Sequence, residues 1–261
     1  MFGKLLKKDL SRNMRWLWIL FVATLGIAIL GRGCKELGAS ILLFKILGIF
    51  LDSVFYSLLV NVVLQPFLRN FLNFTKSLYG DESYLTHTLP VTKNQIINAK
   101  FVTALIEMTL AFSVLVVSLL IMFWTPTFFQ ELGLLLSFVI AGEFSITWLM
   151  ILFLLLVVTE FIMFLSIIFF SIVVAYRAKE KRVLKTFLLT AGMAFASIIV
   201  LFIVILIVLT INGVALTSAT MTLTSTALYS VLVTGLVVYG AISVLFYGLA
   251  KKIFNRGVNV D

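Results

Sequence analysis

The chain has 261 residues, of which 62% are hydrophobic and only 12% are charged, and its formal net charge is +9. A soluble core of this length cannot bury so much apolar surface, so the composition excludes an ordinary water-soluble domain and predicts that lipid is the main solvent. The positive charge then indicates contact with anionic lipid rather than with nucleic acid. A single cysteine, Cys34, excludes an internal disulfide.

Six apolar runs follow one another along the chain, and each is long enough, or nearly so, to cross a membrane as an α-helix. A helix needs about 20 residues to span a hydrocarbon layer about 30 Å thick, because unpaired backbone groups cannot be left in lipid. The sequence therefore predicts an all-α membrane protein with six transmembrane helices in a single domain, residues 1–261. The predicted spans are residues 16–30, 39–64, 97–124, 144–176, 187–211 and 227–249.

Lysine and arginine are distributed unevenly over the connections between these runs. Seventeen of the 20 lie before the first run, between the second and third, between the fourth and fifth, or after the sixth, whereas the alternate connections hold only Arg32 and Lys35. Because basic loops are retained in the cytoplasm, both termini are predicted to be cytoplasmic. The seventeen residues are Lys4, Lys7, Lys8, Arg12, Arg15, Arg69, Lys76, Lys93, Lys100, Arg177, Lys179, Lys181, Arg182, Lys185, Lys251, Lys252 and Arg256.

Residues 1–15 combine apolar and basic side chains at helical spacing. This pattern predicts an amphipathic N-terminal helix in the membrane interface, which would enter the first span through Trp16 and Trp18. The alternative is an unstructured basic leader. The apolar side comprises Phe2, Leu5, Leu6, Leu10 and Met14, and the opposite side comprises Lys4, Lys7, Lys8, Ser11 and Arg15.

Two connections on the opposite side of the membrane have different characters. Residues 32–38 are predicted to form a tight turn between the first two spans. Residues 132–141 are apolar but too short to span. They are expected to form either an interfacial helix or an extension of the fourth span.

The connection at residues 65–100, between the second and third spans, has strong local structural signals. Gly80 is a good helix stop, Asp81 is a good N-cap, and Pro90 ends the next element, so a helix of about two turns is predicted from Asp81 to Leu89. A helix this short needs a surface to pack on. That surface is either a partner protein or the ends of the neighbouring spans.

The third predicted span opens with a helix-start signal. Thr92 and Gln95 have the T-x-x-Q spacing of a capping box, in which each side chain accepts a hydrogen bond from the other residue's backbone N–H. The third helix is therefore expected to begin at this pair.

The stretch around these signals resembles a known family. Residues 79–95 have the sequence Tyr-Gly-Asp-Glu-Ser-Tyr-Leu-Thr-His-Thr-Leu-Pro-Val-Thr-Lys-Asn-Gln, and Ala99-Lys100 follow. The string is similar to the segment between the second and third helices of bacterial type-2 ATP-binding-cassette (ABC) exporter permeases. The basic leader, the six spans and the cytoplasmic termini also resemble that family, some of whose small members export antimicrobial peptides.

The resemblance implies a division of labour between subunits. The permease forms the transport path, and a separate cytosolic ABC ATPase docks on the segment between spans two and three. By position, the docking or coupling residues would be Asp81, Glu82, Tyr84, Leu85, Thr88, Leu89 and Pro90. A second permease copy or a paralogous permease is implied as well, because exporters of this type pair two six-helix subunits.

The chain contains no phosphate-binding loop of the form G-x-x-x-x-G-K-[ST] and no recognised protease or hydrolase motif. It is therefore not expected to be an enzyme or to bind a cofactor, and ATP and Mg²⁺ would be bound by the partner ATPase. The only histidine, His87, does not make a metal site with its acidic neighbours.

Three carboxylates inside the predicted spans are candidates for the translocation path: Asp52, Glu107 and Glu160. A charge near the bilayer centre costs about 2.5 to 3.5 kcal/mol on insertion scales, so such residues are functional candidates by default. The alternative for Glu107 is contact with Lys93, Lys100 or the inner headgroups. For Asp52 and Glu160, the alternative is a neutral carboxyl group that forms hydrogen bonds and has no role in transport.

The leading hypothesis is a multi-pass permease subunit of an ATP-driven exporter in the bacterial plasma membrane, with an antimicrobial peptide or another hydrophobic cargo. A second hypothesis is a stand-alone transporter that couples to protons through the intramembrane carboxylates. A third is a membrane protein that binds a partner through residues 65–100 without transporting anything.

Overall fold

The computed structural model describes residues 2–38, 41–79, 92–137, 140–141, 143–177, 181–214 and 223–255. Within these residues there are seven α-helices and one pair of two-residue strands. In chain order the elements are α1 (Phe2–Gly38), α2 (Leu42–Tyr79), α3 (Lys93–Phe123), α4 (Phe128–Ser137), β1 (Ile140–Ala141), α5 (Ile146–Ala175), α6 (Arg182–Ile211), β2 (Leu223–Thr224) and α7 (Ser225–Asn255).

Every helix except α4 is long and apolar enough to cross a membrane, which confirms the six predicted spans and indicates a multi-pass membrane protein. These six helices contain 30 to 38 residues. At 1.5 Å per residue they are about 45 to 57 Å long, which exceeds a hydrocarbon core of about 30 Å. Much of the extra length lies outside the predicted runs, and α2 continues from residue 64 to Tyr79.

The first helix agrees with the prediction at its N-terminal end and differs from it at the other end. Residues 2–15 are helical, not an unstructured leader, and they run without a break into the first span as part of α1. The tight turn predicted at residues 32–38 is wrong, because α1 stays helical as far as Gly38. An ion pair one helical turn apart, with Arg32 Nε 3.0 Å from Glu36 Oε1, stabilises this last part of the helix.

The chain divides into two compact units between Thr125 and Pro126. Unit 1 contains α1, α2 and α3, and each of these helices packs against the other two. Burial of apolar side chains between helices stabilises the unit through close packing. One apolar cluster contains Met14, Leu17, Phe21, Val62 and Ala111, and a second contains Ala28, Phe55 and Met122.

Unit 2 contains α4 to α7 and the strand pair, and α5 packs against both α6 and α7. Its apolar cluster is built on Met163, Ile167 and Tyr239. The two strands pair in parallel, with Ile140 opposite Leu223. The apolar stretch at residues 132–141 is neither a span nor an extension of α5, since most of it belongs to the separate helix α4.

Candidate functional site

Unit 1 contains a group of polar side chains between its three helices, here called the polar cluster. α1 contributes Asp9 and Asn13, α2 contributes Asn70 and Asn73, and α3 contributes Lys100 and Glu107. Five of the six are buried, with Asn73 half-buried, and Glu107 has 0% exposure. Polar groups withdrawn from water are stable only when they have partners, so the contacts within the cluster decide what it does.

An ion pair joins α1 to α3. Lys100 Nζ lies 2.7 Å from Asp9 Oδ2, and both side chains are more than nine-tenths buried. The guanidinium of Arg12 lies 3.7 Å from the other carboxylate oxygen of Asp9, on the edge of the cluster. Removing one partner of such a pair leaves an uncompensated buried charge, and that costs far more than neutralising both.

Hydrogen bonds join α2 to the other two helices. Asn70 Nδ2 donates to Glu107 Oε2 at 2.9 Å, and the same amide also donates to the carbonyl of Pro66 at 2.9 Å. Asn73 Nδ2 donates to the side-chain oxygen of Asn13, and Asn13 also contacts the Glu107 carboxylate. The cluster therefore joins α1 to α3, α1 to α2 and α2 to α3.

The cluster lies close to the connection between the second and third spans. Asn73 is six residues before the end of α2 at Tyr79, and Lys100 is seven residues after the start of α3 at Lys93. At 1.5 Å per residue, both side chains are attached about 10 Å from the points where the helices meet residues 80–91. A force on that segment would thus reach the cluster within two helical turns.

The predicted coupling residues themselves, from Asp81 to Pro90, lie outside the described residues, as does His87. The helix start that follows them is described and confirms the prediction. Gln95 N donates to Thr92 Oγ1 and Thr92 N donates to Gln95 Oε1, both at 3.4 Å, which completes the capping box. The beginning of α3 is therefore fixed by its own sequence.

Of the three carboxylates proposed from the sequence, two lie in unit 1 with different partners. Glu107 belongs to the polar cluster, where it contacts amides, whereas Lys100 pairs with Asp9. Asp52 Oδ1 lies 3.0 Å from Lys35 Nζ, and both side chains are partly exposed. The Lys35 ammonium also lies 4.9 Å from the centroid of the Phe123 ring, a cation–π arrangement. The structure therefore places these two carboxylates in separate groups.

The third carboxylate, Glu160, lies on an exposed face of α5 in unit 2. The described residues include no group of three or more His, Cys, Asp or Glu side chains that could hold a metal ion. The polar cluster itself contains amides, carboxylates and one ammonium, and these groups can form and exchange hydrogen bonds with one another.

Sequence reasoning found Glu107 but missed most of its neighbours. A signal was present in α1, where Asp9 and Asn13 continue a four-residue repeat with Leu5, Leu17 and Phe21. Residues at this spacing share one helix face, so two polar side chains interrupt the stripe that faces the other helices. On α2 and α3 no comparable signal identifies which polar residues meet.

Comparison with known proteins gives no identification, because no family model, no curated protein and no solved structure matches the chain. The resemblance of residues 79–100 to exporter permeases therefore stays a proposal.

Proposed function

We propose that the chain is the transmembrane permease subunit of an ATP-driven exporter in a bacterial plasma membrane. The observation that supports this most directly is the form of α2 and α3. Both helices continue beyond their apolar runs into polar residues on either side of residues 80–91, which is the segment that resembles an ATPase-docking region. A helix pair of this length would carry movement from a docked protein into the membrane.

The energy would come from a separate subunit. A cytosolic ABC ATPase would bind ATP and Mg²⁺ and would contact Asp81, Glu82, Tyr84, Leu85, Thr88, Leu89 and Pro90. A second permease, either another copy of the chain or a paralogue, would complete the transport path. A hydrophobic cargo such as an antimicrobial peptide suits spans that contain so few charged residues.

Co-purification tests this proposal. The tagged chain is isolated from its native membrane in mild detergent, and mass spectrometry identifies any soluble ATPase with a phosphate-binding loop. The ATPase is expected with the wild type and is expected to be lost with Leu85→Asp/Leu89→Asp, because a charge placed in an apolar contact prevents docking. Ser83→Asp/His87→Asp is the matched control, since it adds the same charges to the same segment at positions outside the proposed contact.

The predicted orientation is tested with cysteine labelling in a Cys34→Ala background. Lys185→Cys and Thr125→Cys each replace an exposed side chain. Lys185 lies in the first turn of α6, next to a basic connection, and Thr125 lies just after α3. A membrane-impermeant maleimide added to intact cells is expected to label position 125 and not position 185. Labelling of position 185 alone would mean that the orientation is reversed.

The burial of Glu107 favours one alternative, a transporter that couples to protons without an ATPase. The two functions are separated in a peptide-sensitive host. The exporter hypothesis predicts protection from antimicrobial peptides only when the ATPase is co-expressed. Protection by the chain alone, abolished by Glu107→Gln, would instead establish the proton-coupled transporter.

A further inference from the structure

We propose that the polar cluster is a transmission joint, which makes the ends of α1, α2 and α3 next to residues 80–91 move as one body. This inference rests on the proposed function, because it concerns how movement of the docking segment reaches α1. α2 and α3 are joined to residues 80–91 through the chain itself, whereas α1 is not. Among the described residues, contacts between helices join α1 to α2 and α3.

The contacts of the cluster link each of the three helices to the other two. The ion pair between Asp9 and Lys100 joins α1 to α3, the amide pair Asn13–Asn73 joins α1 to α2, and Asn70–Glu107 joins α2 to α3. The ion pair is the strongest link of α1, because a contact between charged groups is roughly twice as strong as a hydrogen bond between neutral amides. The amide link Asn13–Asn73 is only half-buried at Asn73, so loss of the ion pair is enough to let α1 shift against α3.

Polar contacts resist sliding in a way that apolar packing does not. A hydrogen bond weakens steeply when its angle or length changes, whereas apolar attraction does not depend on direction. A single buried polar residue can therefore fix the register of packed helices. Farther along α1, contacts are apolar around Leu17 and Phe21, so the cluster sets the register of α1 at this end of the unit.

The burial of the joint adds to its stiffness. Lys100 and Asp9 are each less than 10% exposed, so water does not replace the partner when the pair separates. The members of the joint nearest residues 80–91, Asn73 and Lys100, lie about 10 Å from that segment by helical rise, and Glu107 lies about 20 Å from it. The joint therefore begins near the point where a docked ATPase would apply force and lies on the helices that would receive it.

The experiment measures whether α1 follows α3. Spin labels are placed at Lys8→Cys on α1 and Lys93→Cys on α3, two exposed positions, in the full chain with Cys34→Ala. The distance between the labels is measured in the permease–ATPase complex without nucleotide and with ATP trapped by a hydrolysis-deficient ATPase. In the otherwise unchanged chain the distance is expected to be the same in both states.

The test variant is Asp9→Asn/Lys100→Met, which removes both charges and leaves no isolated buried ion. It is expected to fold and to bind the ATPase, while the label distance changes between the two states by about 2 to 5 Å, the scale of helix shifts in switching proteins. Lys76→Met removes an exposed lysine from α2 and is expected to behave like the wild type. A purely structural role would broaden the distances equally in both states and would not create a nucleotide-dependent difference.

Two results would overturn the inference. One is a nucleotide-dependent distance in the wild type, since α1 and α3 would then not move together. The other is a distance that does not depend on nucleotide in the double variant. If no ATPase binds the wild type, the role in transmission fails together with the proposed function, and the purified permease tests only the link between α1 and α3. A distance distribution in the double variant as narrow as the wild type's refutes that link, and a broader one supports it.

Discussion

Units 1 and 2 both bury hydroxyls that bond within their own helices, as Thr24 and Thr103 do in unit 1, but the polar cluster of unit 1 adds buried contacts between helices. In unit 1 the buried polar side chains of the cluster bond to other helices. In unit 2 four buried hydroxyls each donate to the carbonyl four residues earlier in their own helix: Ser166, Thr186, Ser197 and Ser243. Such a hydroxyl keeps its partner when the helix shifts, so it does not fix one helix against another.

Two polar contacts between elements of unit 2 lie near helix ends. Tyr229 on α7 bonds to the backbone of Ser145, just before α5, and the Arg177 guanidinium donates to the carbonyl of Ile253 at 2.9 Å. Both contacts are exposed. Buried polar contacts therefore set the register of the helices in unit 1, while packing sets most of the register in unit 2.

The largest expected effect comes from removing one charge of the buried pair. Asp9→Ala leaves the Lys100 ammonium without its nearest carboxylate and should lower the free energy of unfolding by about 3 to 5 kcal/mol. Denaturant titration in detergent micelles, followed by circular dichroism, measures this change. Lys8→Ala on the exposed side of α1 should change it by less than about 0.5 kcal/mol. Equal effects of the two variants would mean that the pair does not stabilise unit 1.

A smaller loss is expected when the Asn70 amide loses its acceptor. Glu107→Leu should cost about 1 to 3 kcal/mol, because the amides of Asn70 and Asn13 each lose one of their buried partners. Glu107→Gln keeps an acceptor oxygen and should cost less than half as much. The same titration distinguishes them, and a Gln variant no more stable than the Leu variant would contradict the hydrogen-bond assignment.

The ion pair at the other end of unit 1 should matter less. Lys35 and Asp52 are 37% and 28% exposed at their side chains, so Lys35→Met is expected to cost no more than about 1 kcal/mol. The cost should also fall as the salt concentration rises, because exposed pairs are screened. A loss as large as that of Asp9→Ala, independent of salt, would show that this pair is as important as the polar cluster.

The smallest effect is expected in unit 2. Ser243→Ala removes a hydroxyl that bonds only within α7 and should change the free energy of unfolding by less than about 0.5 kcal/mol. Asn70→Ala, at a buried site in unit 1, is the matching change between helices and should cost several times more. If Ser243→Ala and Asn70→Ala changed the free energy of unfolding by similar amounts, the difference between units 1 and 2 would be contradicted.

Local sequence signals predicted well those parts of the fold that depend on a single segment of the chain. The six spans were predictable because lipid requires long apolar helices, and the start of α3 was predictable because Thr92 and Gln95 satisfy each other's backbone. The part of α1 after residue 30 was missed, since Gly31 and Gly33 suggest a boundary although the helix continues to Gly38. The pairing of Ile140 with Leu223 depends on residues far apart in sequence and has no local signal.

The candidate site was predictable only in part. Glu107 was identified because a carboxylate is rare inside an apolar run, yet its partners Asn13 and Asn70 lie on other helices. Which helix faces meet depends on packing, which one sequence does not reveal. Asp52 was predicted to lie on the translocation path or to be a neutral, hydrogen-bonded group. Its partner Lys35 was assigned to a turn because α1 was predicted to end too early.

The central claim, that an ATPase drives this permease through residues 80–91, is tested most directly by measuring ATP hydrolysis in proteoliposomes. The partner ATPase is assayed alone, with the wild-type chain, and with Leu85→Asp/Leu89→Asp. Higher hydrolysis with the wild type than with the ATPase alone, and no increase with the double variant, is the predicted result. Hydrolysis that is unchanged by the wild-type chain, or equally increased by both chains, would contradict the claim.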